Sequence, residues 1–388
     1  MSKMDEHRKR ALVASYTWLT FDPPLINLGT MLSRRGHDVE AVGIGRKEDP
    51  ASETLEPGFR IKRAPYRQTG SSLLKLRLSL SYLVLLLRSA RLFKPTCYIA
   101  ANWNSFLACL IARRFIKAPI LYYQLEYHGR TRDALASASL PARLALELEK
   151  RLVKHAHTLF SAEPNRSRLM QRDYGLPYTP TAIFNAPLSK EQSPTVRRKN
   201  SSATPRIVYA GSIHEKTCMV PLLETLATGK IDASFDFYGA ISTGFEKRFN
   251  ELLDETRKRG NSIAYKGCVS YASVHDVLAD YDIGIAFYRS NTLNQYFCSP
   301  CKLFEYMAAG LALLTSDFPG LRSIVHPPAM GLCVDAEDPS AIRDALKNLT
   351  KAPPSSIRAM GERAQQAFLE KFTFDRQAEP LIRAIEHV

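Results

Sequence analysis

The chain has no long hydrophobic run. One of its longest apolar stretches, residues 82–87, is flanked by Lys75, Arg77, Arg88 and Arg91, whereas a membrane-spanning helix needs about 20 apolar residues. The opening MSKMDEHRKR holds no apolar core of the kind a secretory signal carries. Both observations predict a cytoplasmic protein. Cysteine is sparse and odd in number: seven, scattered, which excludes a disulfide framework and reads as small buried thiols of a reducing compartment. The one close pair, Cys298-Ser-Pro-Cys301, lacks the further ligands that a zinc site needs. No clustering of His, Cys and acids at ligand spacing is visible, so neither a metal nor a cofactor is expected. Aromatic residues are not interleaved through the basic stretches, which argues against a nucleic-acid partner.

Charge is plentiful and lopsided. Residues 1–190 hold 30 Lys and Arg against 15 Asp and Glu, while residues 191–388 hold 23 of each. The whole excess of +15 therefore lies in the first half, where it attracts polyanions or an anionic membrane surface. A helix over 72–93 sets Arg77, Ser81, Arg88 and Arg91 near one face, interrupted by Val84, with Leu73, Leu76, Leu80, Leu83 and Leu87 opposite. The expectation is a leucine face buried against a sheet and arginines that touch an acceptor or lipid headgroups.

At 388 residues the chain is long enough for two domains. Strand-like and helix-like stretches alternate almost throughout, which predicts parallel sheets covered on both faces. The stretch LSKEQSPTVRRKNSSATP breaks the alternation with Ser, Thr, Pro and charge and reads as a solvated linker. The organisation expected is an α/β fold with two Rossmann-like lobes facing across a cleft. The boundaries are 1–187 for a basic acceptor lobe, 188–204 for the linker and 205–365 for a second lobe, with a C-terminal helix over 366–388 returning to the first. Ligands of such sheets sit beyond the carboxyl ends of the strands.

The segment Ser299-Pro-Cys-Lys-Leu-Phe-Glu-Tyr-Met-Ala-Ala-Gly310 follows a strand and opens a helix. Ser299 suits the cap and Pro300 the first turn. The helix start attracts an anion such as a diphosphate, and Lys302 adds a charge. Glu305 lies on the same side as Lys302 and can accept hydrogen bonds from ribose hydroxyls. A structural Lys–Glu pair is the competing reading. Gly211-Ser212, with Lys216 following, forms a strand-end turn through which backbone can approach a phosphate. Gly239 ends another strand in the same way. In the first half Glu126 and His128 follow the strand over 119–124, where either could hold an acceptor hydroxyl or move a proton; polar residues at a strand end are more often ordinary loop positions.

SPCKLFEYMAAGLALLTSDFPG and YAGSIHEK together resemble the donor-site segments of the retaining glycosyltransferases of family 4, also called group 1, which have the GT-B fold. The resemblance implies that Glu305 binds the donor ribose, that Ser299 and Pro300 approach the donor sugar or phosphates, and that Gly211 and Lys216 lie on the phosphate side. Asn185 matches an asparagine at the end of the first lobe. Three departures stand out. Of the glutamate pair that many members carry eight positions apart, the first falls on Phe297. The histidine at the end of the first lobe's strand falls near Leu125, leaving Glu126 beside it. The glycine-rich first loop is replaced by TWLTFDPP. The activity implied is retaining transfer of a hexosyl group from a nucleotide-sugar donor to a glycan or lipid-linked acceptor. The setting implied is cell-surface polysaccharide or glycolipid synthesis, at most peripheral on the inner face of the membrane. A non-catalytic GT-B protein binding a nucleotide or partner is the alternative that the departures favour; a nucleotide-sugar epimerase of similar fold is the other, and it needs an acid–base set that the residues do not offer.

Overall fold

The structure, a computed structural model, describes residues 8–19, 22–65, 72–127, 140–189, 204–327 and 329–388. It forms two compact units, one of Met1–Asn185 with Phe374–Val388 and one of Ala186–Thr373. Most of the expected linker, residues 190–203, lies outside the described residues.

The first unit holds an eight-stranded sheet: β1 (Arg10–Trp18), β2 (Asp38–Gly45), β3 (Ser52–Glu56), β4 (Phe59–Pro65), β5 (Cys97–Ala100), β6 (Ile120–Gln124), β7 (Thr158–Ser161) and β8 (Thr181–Ala182). The spatial order is β3-β4-β2-β1-β5-β6-β7-β8. Every pairing is parallel except β3 with β4. β5 and β6 are buried along their whole length, which is why they read as unbroken apolar runs rather than as alternation. β3, a largely exposed SETLE, gives no such signal. The order turns back between β1 and β5, and such a switch opens a crevice at the strands' carboxyl ends.

The helix Ser72–Phe93 forms as expected, but its faces are rotated from the expectation. Leu78, Tyr82, Leu86 and Ala90 are the buried stripe, whereas Leu76 and Leu80 are exposed. The stripe follows the four-residue helical spacing. With YLVLLL filling six consecutive positions, apolarity marks no single face. The small Ser89 and Ala90 near its end are buried as well.

The C-terminal segment also differs from the single helix expected over 366–388. Residues 366–372 end the helix Pro354–Ala367 and form the π-turn Phe368–Phe372, both within the second unit. Two short helices follow in the first unit, Phe374–Gln377 and Glu379–Glu386. The break precedes Pro380, which has no N–H to continue a helix. Glu379 and Glu386 lie 2.5 and 3.5 Å from the Arg35 guanidinium, and the Lys9 ammonium donates to the Val388 carbonyl at 2.7 Å.

The second unit holds a six-stranded sheet: β9 (Arg206–Ala210), β10 (Ser234–Tyr238), β11 (Ser262–Gly267), β12 (Ile283–Ala286), β13 (Ala312–Ser316) and β14 (Gly331–Val334). All pairings are parallel, in the order β11-β10-β9-β12-β13-β14. This is the doubly wound nucleotide-binding order, with its switch between β9 and β12.

Candidate functional site

At the carboxyl edge of the second sheet, β9, β10 and β11 each run into a glycine at positive φ: Gly211 (147°), Gly239 (133°) and Gly267 (79°). The Gly211 amide donates to the Tyr238 carbonyl and the Gly239 amide to the Gly267 carbonyl, both at 2.9 Å. The strand ends are thus laced together by backbone. A Cβ on Gly239 would stand 1.9 Å from the Gly211 carbonyl oxygen, so only glycine fits there. At Gly211 a Cβ would meet the Lys302 Nζ at 2.7 Å. The missing side chain is the space that the lysine fills.

Lys302 comes from the helix Cys301–Ala308, which follows β12. Tyr306 fixes that helix. Its hydroxyl accepts from the Ala210 amide at 2.8 Å and donates to the Ile285 carbonyl at 3.2 Å, and its ring packs where Gly284 leaves no Cβ in the way. Lys302 is only 8% exposed. Its ammonium lies 3.9 Å from the Tyr209 ring centroid and 5.3 Å from that of Tyr288, and it makes no hydrogen bond or ion pair with a described residue. Ring faces stabilise a cation, but a buried ammonium without an anion or acceptor is costly.

Two more unsatisfied groups adjoin it. Ser299, expected as the cap, is 4% exposed and its hydroxyl has no partner among the described residues. The capping position falls on Pro300, whose carbonyl accepts from the Leu303 amide at 3.1 Å, and no side chain caps the helix. Glu305, one turn along, is half-buried and forms no pair with Lys302, so the structural Lys–Glu pair is absent. Burial pushes its carboxyl up to about 7, against the pull of Lys302. A cation, a hydroxyl and a carboxylate without a hydrogen-bond partner among the described residues, within two turns of chain at a helix start, can bind one ligand that carries both an anion and vicinal hydroxyls. Ser212 is exposed just past Gly211, and its carbonyl accepts from the Tyr209 hydroxyl at 2.7 Å. The backbone of Lys216 lies in the short turn Glu215–Thr217.

In the first unit Glu126 is exposed two residues beyond β6. His128 lies outside the described residues. The sequence reading passed over Asp22, at the start of the helix Pro23–Arg34. Burial pushes its carboxyl up to about 6; hydrogen bonds from Thr17 and Ser15 oppose this, and the nearby Glu126 charge adds to it. Thr17 donates to Asp22 at 2.9 Å, Ser15 and Thr17 share a 2.7 Å hydrogen bond, and the Asn102 amide reaches Ser15 at 3.3 Å. These residues gather at the carboxyl ends of β1, β5 and β6, beside that sheet's own switch. The only signal in the sequence was an Asp before Pro-Pro, within the loop TWLTFDPP. Asn185 closes the unit with a buried, unpartnered Oδ1. Arg77, Arg88 and Arg91 are exposed, and Arg91 stacks on Phe115 at 5.1 Å.

Known proteins agree with this architecture. Residues 27–185 match a family model described as a glycosyl transferase 4-like domain, and residues 219–383 match one described as glycosyl transferase-like. No curated protein matches the chain in sequence. Among solved structures, sucrose-phosphate synthase from Thermosynechococcus elongatus superposes with a TM-score of 0.78 at 16% identity, covering 98% of this chain and 99% of that one. A glycosyltransferase from Rickettsia africae gives 0.71 at 12% identity, covering 98% of each chain. HepE from Anabaena, solved with UDP and glucose, also gives 0.71 at 12%, covering 98% of this chain and 100% of that one. At these identities the likeness is one of fold.

Proposed function

Because the chain belongs to the glycosyltransferases of the family 4 and group 1 kind, on the GT-B fold, we propose that its second unit grips the diphosphate of a nucleotide-sugar donor where β9 and β12 part. The observation that carries this is Lys302, an ammonium buried against two tyrosine rings without an ion pair to any described residue. As the bond between sugar and diphosphate breaks, negative charge grows on the leaving group. Lys302, Lys216 and the positive N-terminal end of the Cys301–Ala308 helix stabilise that charge. Glu305 accepts hydrogen bonds from the ribose hydroxyls, and Ser299, followed by Pro300, donates to the sugar or a phosphate. Gly211, Ser212 and Gly239 keep the strand ends open to the ligand. The proposed outcome is retention at the transferred sugar's anomeric carbon.

The acceptor is assigned to the basic first unit, as a glycan or lipid-linked sugar of cell-surface polysaccharide or glycolipid synthesis. Glu126, with Asp22 beside it, and His128 are the groups assigned to hold or deprotonate its hydroxyl. The UDP found in HepE favours a uridine donor.

A thermal-shift panel of UDP-, GDP-, ADP- and TDP-sugars tests the donor reading. A nucleotide at 100 times its Kd stabilises the native state by about 2.7 kcal/mol, or about 5–11 °C for a unit of this size. One nucleotide series is expected to give that shift in the wild type and not in Lys302→Met. No shift from any of the four would reject the reading.

A further inference from the structure

Between Glu56 and Glu126 the chain runs 69 residues without an acid and with 12 Lys and Arg. That stretch contains the Ser72–Phe93 helix and the helix Trp103–Ala112. On the outward side of the first, opposite its buried stripe, Leu76, Leu80 and Val84 are 56%, 53% and 46% exposed, and Leu92 at its end is 80% exposed. Phe115, just past the second helix, is 54% exposed under the Arg91 guanidinium. Arg77, Arg88, Arg91 and Arg114 stand among these side chains, exposed and without an ion pair to any described residue. Large aliphatic side chains interleaved with unpaired arginines on one helix face match a headgroup layer above acyl chains. A nucleic acid would call for stacking aromatics instead, and a merely soluble surface for acids interspersed with the bases.

We propose that the outer face of the Ser72–Phe93 helix, with Phe115 beside its end, lies in the headgroup layer of an anionic membrane. Its arginines sit on lipid phosphates and Leu76, Leu80 and Val84 enter the acyl boundary. The surface rests on the reading of the acceptor as lipid-linked, which supplies its purpose. It differs from simple electrostatic attraction because the leucines take part. Among the described residues no helix is long and apolar enough to cross a membrane, so attachment here is interfacial.

The full chain is tested by flotation with vesicles of phosphatidylcholine alone and of phosphatidylcholine with phosphatidylglycerol. It is expected to float only with the second kind. Leu80→Glu with Val84→Glu should abolish flotation while the thermal transition and the shift given by nucleotide stay unchanged. Arg88→Ala with Arg91→Ala should weaken partitioning about 30-fold, since each basic residue near such a surface contributes about fivefold. Failure of the wild type to float, or equal flotation of the Leu80→Glu, Val84→Glu protein, overturns the proposal. A gel shift with double-stranded DNA that this variant retains, with no flotation of the wild type, would assign the face to nucleic acid and overturn it as well. Nucleotide shifts are scored separately, so a face that fails leaves the donor site standing, and the reverse.

Discussion

Replacing Glu305 by Gln keeps its shape and removes its charge, which should raise stability and weaken nucleotide binding together. Burial holds the carboxyl at about 7 instead of its ordinary 4.5. Between those values the folded chain binds more protons than the unfolded one. Stability therefore falls as pH rises through that window, and the penalty is complete above 7. At about 1.4 kcal/mol for each factor of ten, its ceiling is about 3 kcal/mol. Solvent reaching a half-buried carboxylate cuts this to about 1–2 kcal/mol. Glu305→Gln should accordingly melt about 2–8 °C above the wild type at pH 8 and level with it near pH 4.5. The same change should weaken UDP binding, because a hydrogen bond from a ribose hydroxyl to a carboxylate contributes about 1.5–3 kcal/mol, or about 10–150-fold. In the wild type affinity should rise about tenfold from pH 6 to pH 8 as the carboxylate ionises. Taken as a ratio to the variant, this cancels the titration of the phosphate itself. Calorimetric titration with UDP and its 2′-deoxy analogue reads both effects: the deoxy analogue should bind the wild type more weakly and bind the variant as UDP does. A variant less stable than the wild type at pH 8, or one that binds UDP undiminished, refutes the reasoning.

Gly239→Ala should destabilise the second unit by at least about 3 kcal/mol in a denaturant melt, because its Cβ meets a backbone oxygen at 1.9 Å and a positive φ. Gly211→Ala meets only the flexible end of Lys302, so the larger part of its effect should appear in nucleotide affinity, and equal unfolding losses for the two would contradict the packing. Asp22, its carboxyl raised from 3.8 to about 6 by burial, destabilises the fold progressively across that window as pH rises. Asp22→Asn should therefore be more stable than the wild type by about 1–2 kcal/mol at pH 7.5 and equal to it near pH 3.5, as urea melts at the two pH values would show. Burial holds the Cys97 and Cys218 thiols at about 12 and raises Cys109 further. Under a thiol reagent at pH 8 the exposed Cys268 should label in the native state and these three only on unfolding, measured by mass spectrometry.

Much of this was legible in the sequence because local rules carry it. The strand-end glycines Gly211 and Gly239, the helix opened after SPC and the alternation of the second half are written within short windows, and the strand order of a doubly wound sheet follows from them. Misreadings arose where the deciding neighbour was distant or the pattern was saturated. Nothing near Lys302 shows that its ammonium ends over Tyr209, some ninety positions earlier, or that Gly211 exists to admit it. Asp22 gains its perturbed carboxyl partly from Glu126, over a hundred positions later. The Ser72–Phe93 helix offers apolar residues in every direction, so hydrophobicity alone did not mark its buried stripe. The split of the C-terminal segment turned on Pro380 and on Glu379, which meets Arg35 from the far end of the chain.

Lys302 and Glu305 are three residues apart on one helix, a spacing at which opposite charges ordinarily pair. Had they done so, each would be satisfied and a nucleotide would have to break the pair before binding. The fold separates them by drawing the ammonium the other way, into the space left by Gly211 and onto the Tyr209 and Tyr288 rings. A ring face stabilises a cation without supplying an anion that competes with phosphate. Tyr306, bonded to both β9 and β12, keeps the helix from turning to restore the pair. The strand-end glycine, the tyrosine rings and the anchored helix thus form one arrangement, whose effect is to keep a positive and a negative group unspent at the place where the strand order reverses.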